Sequence, residues 1–245
     1  MTKRTVETSL RLWARIAGVL YLLTIIMGVF AELFVRGALV VRDDAAATAT
    51  NIMAQEPLYR FGLAADLVML VCYIVVTLLF YDLFKPVGRS LSLLAAFFSL
   101  VGIAVLAVNS LNHLAPLIFL GGAHYLGAFD VNQLQALALV SLRMHARGYT
   151  ISGVFFGIYM FLLGYLIFKS GFLPRILGVL MAVGGLSNLL NSFAVFLFPT
   201  LMARLPDIVL LAGIAELALS LWLVAMGVNV SKWKEQASAR QISGA

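Results

Sequence analysis

Six apolar runs constrain this chain more than any other feature of its sequence. They cover about residues 13–34, 61–84, 91–114, 151–168, 174–198 and 208–228. Each is long enough for the roughly 20 apolar residues that a membrane-crossing helix needs. Outside a bilayer such runs would need a polar covering, and the chain has too little to build one. Of its 245 residues 62% are apolar and only 11% are charged, against about a quarter charged in a soluble domain. The expected fold is therefore an all-α membrane protein, a six-helix transmembrane bundle. Residues 13–228 form its single domain, flanked by a short N-terminal segment, 1–12, and a tail, 229–245, that is expected to be disordered.

Charge sets the expected orientation. The chain carries 17 Lys and Arg against 11 Asp and Glu, a net charge of +6. The basic residues gather at the ends of apolar runs, which points to topology and anionic lipid rather than to nucleic acid. With both termini inside, Lys3, Arg4, Arg11, Arg15, Lys85, Arg89, Lys169, Arg175, Lys232, Lys234 and Arg240 are cytoplasmic. Arg36, Arg42, Arg60, Arg143, Arg147 and Arg204 then lie outside, so the bias obeys the positive-inside rule. The basic start before the first run has the look of a secretory signal. The run from Ile16 to Ala31 is longer than a signal core, however, and no small-x-small cleavage site follows, so it is read as an uncleaved first helix.

Turn chemistry divides the runs. Lys85-Pro86-Val87-Gly88-Arg89 connects helices two and three, and residues 169–175 connect four and five. Such short connectors make antiparallel neighbours. Asp43-Asp44 opens an Ala-rich helix over Ala45–Gln55 that Pro57 follows. Asp130-Val131-Asn132-Gln133 is a capping-box start. Leu134, Leu137, Ala138 and Leu142 then recur at helical spacing, which predicts an external amphipathic helix between helices three and four, either a lid or a surface anchor. Arg15–Leu20 and Arg175–Leu180 are similar enough to suggest tandem hairpins, a match that chance in apolar sequence would also supply.

Several of these stretches also carry a family resemblance. Ala14–Tyr21, Asp44–Ala49, Phe61–Leu67, Asp130–Leu139 and above all Gly171–Gly178 resemble a bacterial multi-pass membrane family, domain-of-unknown-function family 4386. The resemblance reaches to about Gly227 and implies a prokaryotic inner-membrane protein. It implies no activity, and no site residue is carried over from it.

The leads to function are polar groups within the apolar runs, because a charged side chain at mid-membrane costs roughly 2.5–3.5 kcal/mol on insertion scales. Glu32, Asp66 and Glu216 are the acids; Asn109, Asn112, His113, Asn188, Asn191 and Ser192 accompany them. At about 1.5 Å per residue, all fall in the outer half of the bundle, which suggests a polar pocket opening outward. Each also has a plainer role. Glu32 has Arg36 four residues on for an exposed ion pair, Asp66 has Arg60 or Arg204, and the amides can simply join helices. Glu216 has no Lys or Arg in its own run and is expected to be neutral, or bonded to Asn188, Asn191 or His113. His145, on the amphipathic helix, is either a solvated residue or part of the lid.

The chain has no HExxH, no CxxC pair, no GxSxG and no mid-helix lysine, and its one cysteine, Cys72, stands alone in an apolar run. Gly153 and Gly157 form a GxxxG, for packing within the bundle or for a homo-oligomer. Three readings of function follow. The first is a small-solute or cation binder or transporter. The second is an intramembrane enzyme whose metal would be held by His113, His145, Asp66 and Glu216. The third is a scaffold or partner subunit without a ligand site. No cofactor is indicated, and the expected partner is the lipid bilayer.

Overall fold

The structure is a computed structural model, and it describes residues 3–202 and 208–243, with side chains described for 10–201 and 208–239. Arg204 lies outside the described residues. The first apolar run is longer than expected at both ends. Helix α1 (Lys3–Val29) passes directly into a π-helical segment (Phe30–Arg36) and a short α2 (Gly37–Leu39). The external Ala-rich stretch is helix α3 (Ala45–Ala54), started as expected by Asp44, whose carboxylate accepts from the Ala47 amide at 2.9 Å. Thr48 and Asn51 tie α3 back to the carbonyls of Val41 and Leu39.

Helix α4 (Glu56–Leu120) is 65 residues long, about 98 Å at 1.5 Å per residue, far beyond a bilayer core of about 30 Å. It is a hairpin. Gly88 alone leaves helical geometry (φ −166°, ψ 94°), just after Pro86. The two arms then run back along each other. Ser92 donates to the Tyr81 carbonyl, Thr77 bonds Ser99 at 2.7 Å, and Tyr59 donates to the His113 carbonyl at 2.6 Å. Partners further from Gly88 on one arm meet partners further from it on the other, which is the signature of antiparallel packing.

Helix α5 (Val131–Ser170) corrects the expectation of a separate external helix. It starts with the capping box at Asp130 and Gln133 and continues unbroken through the fourth apolar run, ending at Gly171 in the left-handed conformation (φ 65°). Its length, about 60 Å by the same rise, is about twice a bilayer core of about 30 Å. Helix α6 (Arg175–Leu197), the short α7 (Pro199–Met202) and α8 (Leu210–Ala225) follow. The tail expected to be disordered is instead helix α9 (Val230–Ser243), bent by 102° from α8. Four helical stretches are long and apolar enough to cross a membrane, or five when α8 and α9 are counted as one bent span.

Outward-facing side chains are apolar to a degree that only lipid tolerates: Phe61 is 67% exposed, Val108 69% and Leu210 67%. Lipid tails give helices no hydrophobic drive to associate, so contact depends on close packing. Small residues supply it. A side chain at Gly157 would press on the Gly185 carbonyl and Leu189, and one at Gly153 on the Ser192 hydroxyl. The GxxxG face is thus covered by α6 of the same chain, which removes it as the expected homo-oligomer surface. The inner core runs through Tyr21, Phe80, Phe84, Met160, Ile167, Met181 and Leu219.

The bundle has two distinct ends. At one, the Asn229 amide donates to the Phe172 carbonyl, the Trp233 indole to Leu83 and Gln236 to Lys169. This gathers the α4 hairpin turn, the α5–α6 turn and α9. At the other end Arg143 pairs with Asp43. The expected match between Arg15 and Arg175 is looser in space. Arg175 opens α6, whereas Arg15 lies well inside α1.

Candidate functional site

Two polar centres sit inside the bundle. The first is built on Arg36, at the end of the π segment. Its Nε donates to Glu32 at 2.8 Å and its Nη1 to Asp66 Oδ2 at 2.6 Å. Asp66 comes from the first arm of α4 and is 1% exposed. The second arm supplies His113, whose Nδ1 lies 2.9 Å from the same Asp66 oxygen. A carboxylate only accepts, so that nitrogen carries the proton. Helix α5 closes the circuit. The Tyr149 hydroxyl donates to Asp66 Oδ1 at 3.3 Å, and its ring lies under the Arg36 guanidinium. His145 stacks obliquely on His113, ring centroids 5.1 Å apart. Its Nδ1 is 3.2 Å from the Asn109 carbonyl, while the Asn109 amide donates to the His145 carbonyl at 2.8 Å and accepts from Asn112. Gly148 makes this approach possible, because any side chain there would overlap the Asn109 amide.

Glu32 and Arg36 do pair, as expected, but only the Glu32 side of the pair is exposed. Glu32 remains 64% accessible, whereas the Arg36 side chain is 8% accessible and shared with Asp66. Asp66 does not take Arg60, which pairs with Glu56 instead, and Arg204 lies outside the described residues. His145 is neither solvated nor at a lid edge. It is 3% exposed and packed into the centre.

The second centre is Glu216 on α8. Its Oε1 accepts from Tyr21 of α1 at 2.7 Å and from Tyr73 of α4 at 3.1 Å. Tyr159 is buried nearby, its ring 6.2 Å from that of Tyr73 and its hydroxyl without a partner among the described residues. This corrects the expected pairing with Asn188, Asn191 or His113. Asn188 contacts the Met160 sulfur at 3.6 Å.

A cavity of about 1050 Å³ joins the two centres. Glu32, Arg36 and His145 lie along it, Asn188, Asn191 and Ser192 flank it, and Glu216 lines it from α8. It reaches the surface at Arg42, Asp43 and Arg143, all well exposed. Asp66 and His113 stand behind the Arg36 wall, and Asn109 and Asn112 behind His145. So Glu32, Asn188, Asn191, His145 and Glu216 meet one space, while Asp66, His113, Asn109 and Asn112 support it.

Sequence reasoning missed Arg36 as the hub and Tyr21, Tyr73 and Tyr149 as donors. Arg36 reads as a topology signal at the end of an apolar run, and tyrosines inside such runs read as apolar. The available signal was the acids themselves: Asp66 and Glu216 each need a buried donor, and these four residues are the donors within reach.

Comparison with known proteins gives a family and no activity. A protein of Archaeoglobus fulgidus described as uncharacterized is 24% identical over 173 residues, covering 70% of this chain and 87% of its own length. No solved structure matches. The family model described as a domain of unknown function (DUF4386) matches residues 16–227, which takes in both polar centres and the cavity between them, and the chain belongs to that family.

Proposed function

We propose that this protein is a binder, and by extension a carrier, of a small organic solute, with Glu216 as the acceptor deep in its cavity. In this reading the α4 hairpin contributes two spans and α8 with its neighbours completes six, both termini inside. The basic turns at Lys85–Arg89 and Lys169–Arg175 then share the cytoplasmic end with α9, and the cavity opens outward in the cell membrane of a prokaryote. One observation carries the reading. All six apolar runs contribute to the cavity wall: Ile25, Tyr73, Leu106, Phe156, Asn188 and Glu216 come one from each.

The walls favour a particular kind of solute. They are mostly apolar, with a carboxyl group inside and guanidinium groups at the mouth. Both tyrosines donate to Glu216 Oε1, which leaves Oε2 to accept from a ligand N–H or O–H. A solute with an amine or hydroxyl head and an apolar body fits these walls. The test is equilibrium binding of a library of amines and alcohols to the purified protein in detergent, followed by transport in proteoliposomes for any that bind. Glu216→Gln keeps an acceptor for the tyrosines and removes the charge, so affinity is expected to fall at least about tenfold, the equivalent of 1.4 kcal/mol. Ligands that bind the variant as tightly as the parent overturn the reading.

A further inference from the structure

We propose that Asp66, His113 and His145 bind a divalent first-row metal ion, through one carboxylate oxygen and one nitrogen of each imidazole. Each of the three offers a ligand atom such that all lie within 4.8 Å of one another. The residues are 1%, 0% and 3% exposed, so bulk water does not compete for them. Ligands held at about 2.0–2.2 Å around a tetrahedral ion stand roughly 3.3 Å apart.

A second observation points the same way independently. Nε2 of His113 and Nε2 of His145 are both buried and both without a hydrogen-bond partner among the described residues. His145 has its other nitrogen engaged at the Asn109 carbonyl, whereas His113 has Nδ1 beside Asp66, its proposed co-ligand. An imidazole fixed by one nitrogen with the other left over is the usual state of a metal-binding histidine, and the fixing partner sets its orientation.

Arg36 donates to Asp66 Oδ2, the oxygen that also lies beside His113 Nδ1, and Tyr149 donates to Oδ1, so both hold the carboxylate in place. Two imidazoles and one carboxylate suit Zn²⁺ and its borderline neighbours better than Mg²⁺ or Ca²⁺. Three protein ligands leave a position open, and His145 among them lines the cavity.

The test uses the full chain purified through a non-metal affinity tag in chelator-free detergent. Elemental analysis is expected to find about one transition-metal ion per chain. After chelator treatment, Co²⁺ is expected to restore the same stoichiometry and to give the visible bands of a low-symmetry nitrogen and oxygen site. His113→Ala and His145→Ala are each expected to lose at least about a hundredfold in Co²⁺ affinity, while Glu216→Gln binds Co²⁺ as the parent does. That last arm separates this site from the solute reading, since either can fail alone. If the variants do not fold, X-ray absorption of the parent's Co²⁺ or Zn²⁺ form decides: two imidazoles in the coordination sphere support the site, and none overturns it. Failure of the parent chain to bind Zn²⁺ or Co²⁺ also overturns it, as does binding unaffected by both histidine variants.

Discussion

The two polar centres meet the cost of polarity in lipid by opposite means. Around Arg36, charge is countered by charge: one guanidinium serves two carboxylates, Glu32 of its own segment and Asp66 of α4, and Tyr149 of α5 also donates to Asp66. Around Glu216, a single acid is countered only by phenols, and it keeps one side toward open space. A closed ion circuit fixes helices to one another, because opening it exposes an unpaired charge. An acid held by neutral donors can exchange one partner for another at little cost. The contrast sets a buried ion pair that joins helical segments against an acid that keeps one oxygen toward open space.

The largest effect is expected where the circuit opens. Arg36→Met leaves Asp66 buried without its main counter-charge and should cost about 3–5 kcal/mol in unfolding free energy. Reversible denaturation in mixed micelles measures it, and adding Asp66→Asn should recover a substantial part. A cost below about 1 kcal/mol would break the comparison, because the first centre would then not depend on its ion pairs. Gly148→Ala comes next. The methyl group overlaps the Asn109 amide, and overpacking of this kind costs about 1–3 kcal/mol. It should also loosen His145, which a proteolysis or cysteine-labelling assay at α5 reads. Tyr21→Phe removes the shorter of the two donors to Glu216 and should cost only about 1 kcal/mol, since Tyr73 remains. Glu216→Gln should have the smallest effect on unfolding, less than Tyr21→Phe, while carrying the largest effect on solute binding. A destabilisation by Glu216→Gln as large as that of Arg36→Met would make the two centres alike.

What could be read from sequence was what local chemistry decides. Asp44 and Asp130 cap helices because the free amides that follow need an acceptor within reach, whatever the rest of the chain does. The turn at Lys85–Arg89 was legible because Pro86 and Gly88 interrupt an otherwise unbroken apolar pattern. Partnership was not legible, since it depends on which faces the helices turn to one another. Tyr73 looks like any apolar neighbour until α8 brings Glu216 against it. The continuity of α5 was hidden for a different reason. A polar stretch before an apolar one reads as two elements, although the backbone has no proline or glycine break between Val131 and the fourth run strong enough to end a helix. The α9 helix escaped because its sequence has low hydropathy, and its docking depends on Trp233 reaching Leu83.

The π segment at Phe30–Arg36 has a consequence for how the first helix keeps time with the others. Its hydrogen bonds reach one residue further than those of an α-helix, so it takes up slack without breaking the ladder. Residues before it, such as Tyr21, and residues after it, such as Leu39, therefore keep different phase about the helix axis. Arg36 owes its inward aim to that phase slip. Removing a single residue from the segment would restore α-helical phase and swing the guanidinium by about 100°, one residue's rotation on a helix with 3.6 residues per turn. The first helix thus behaves like a key cut with an offset. One residue of slack decides whether its charge enters the bundle or faces lipid.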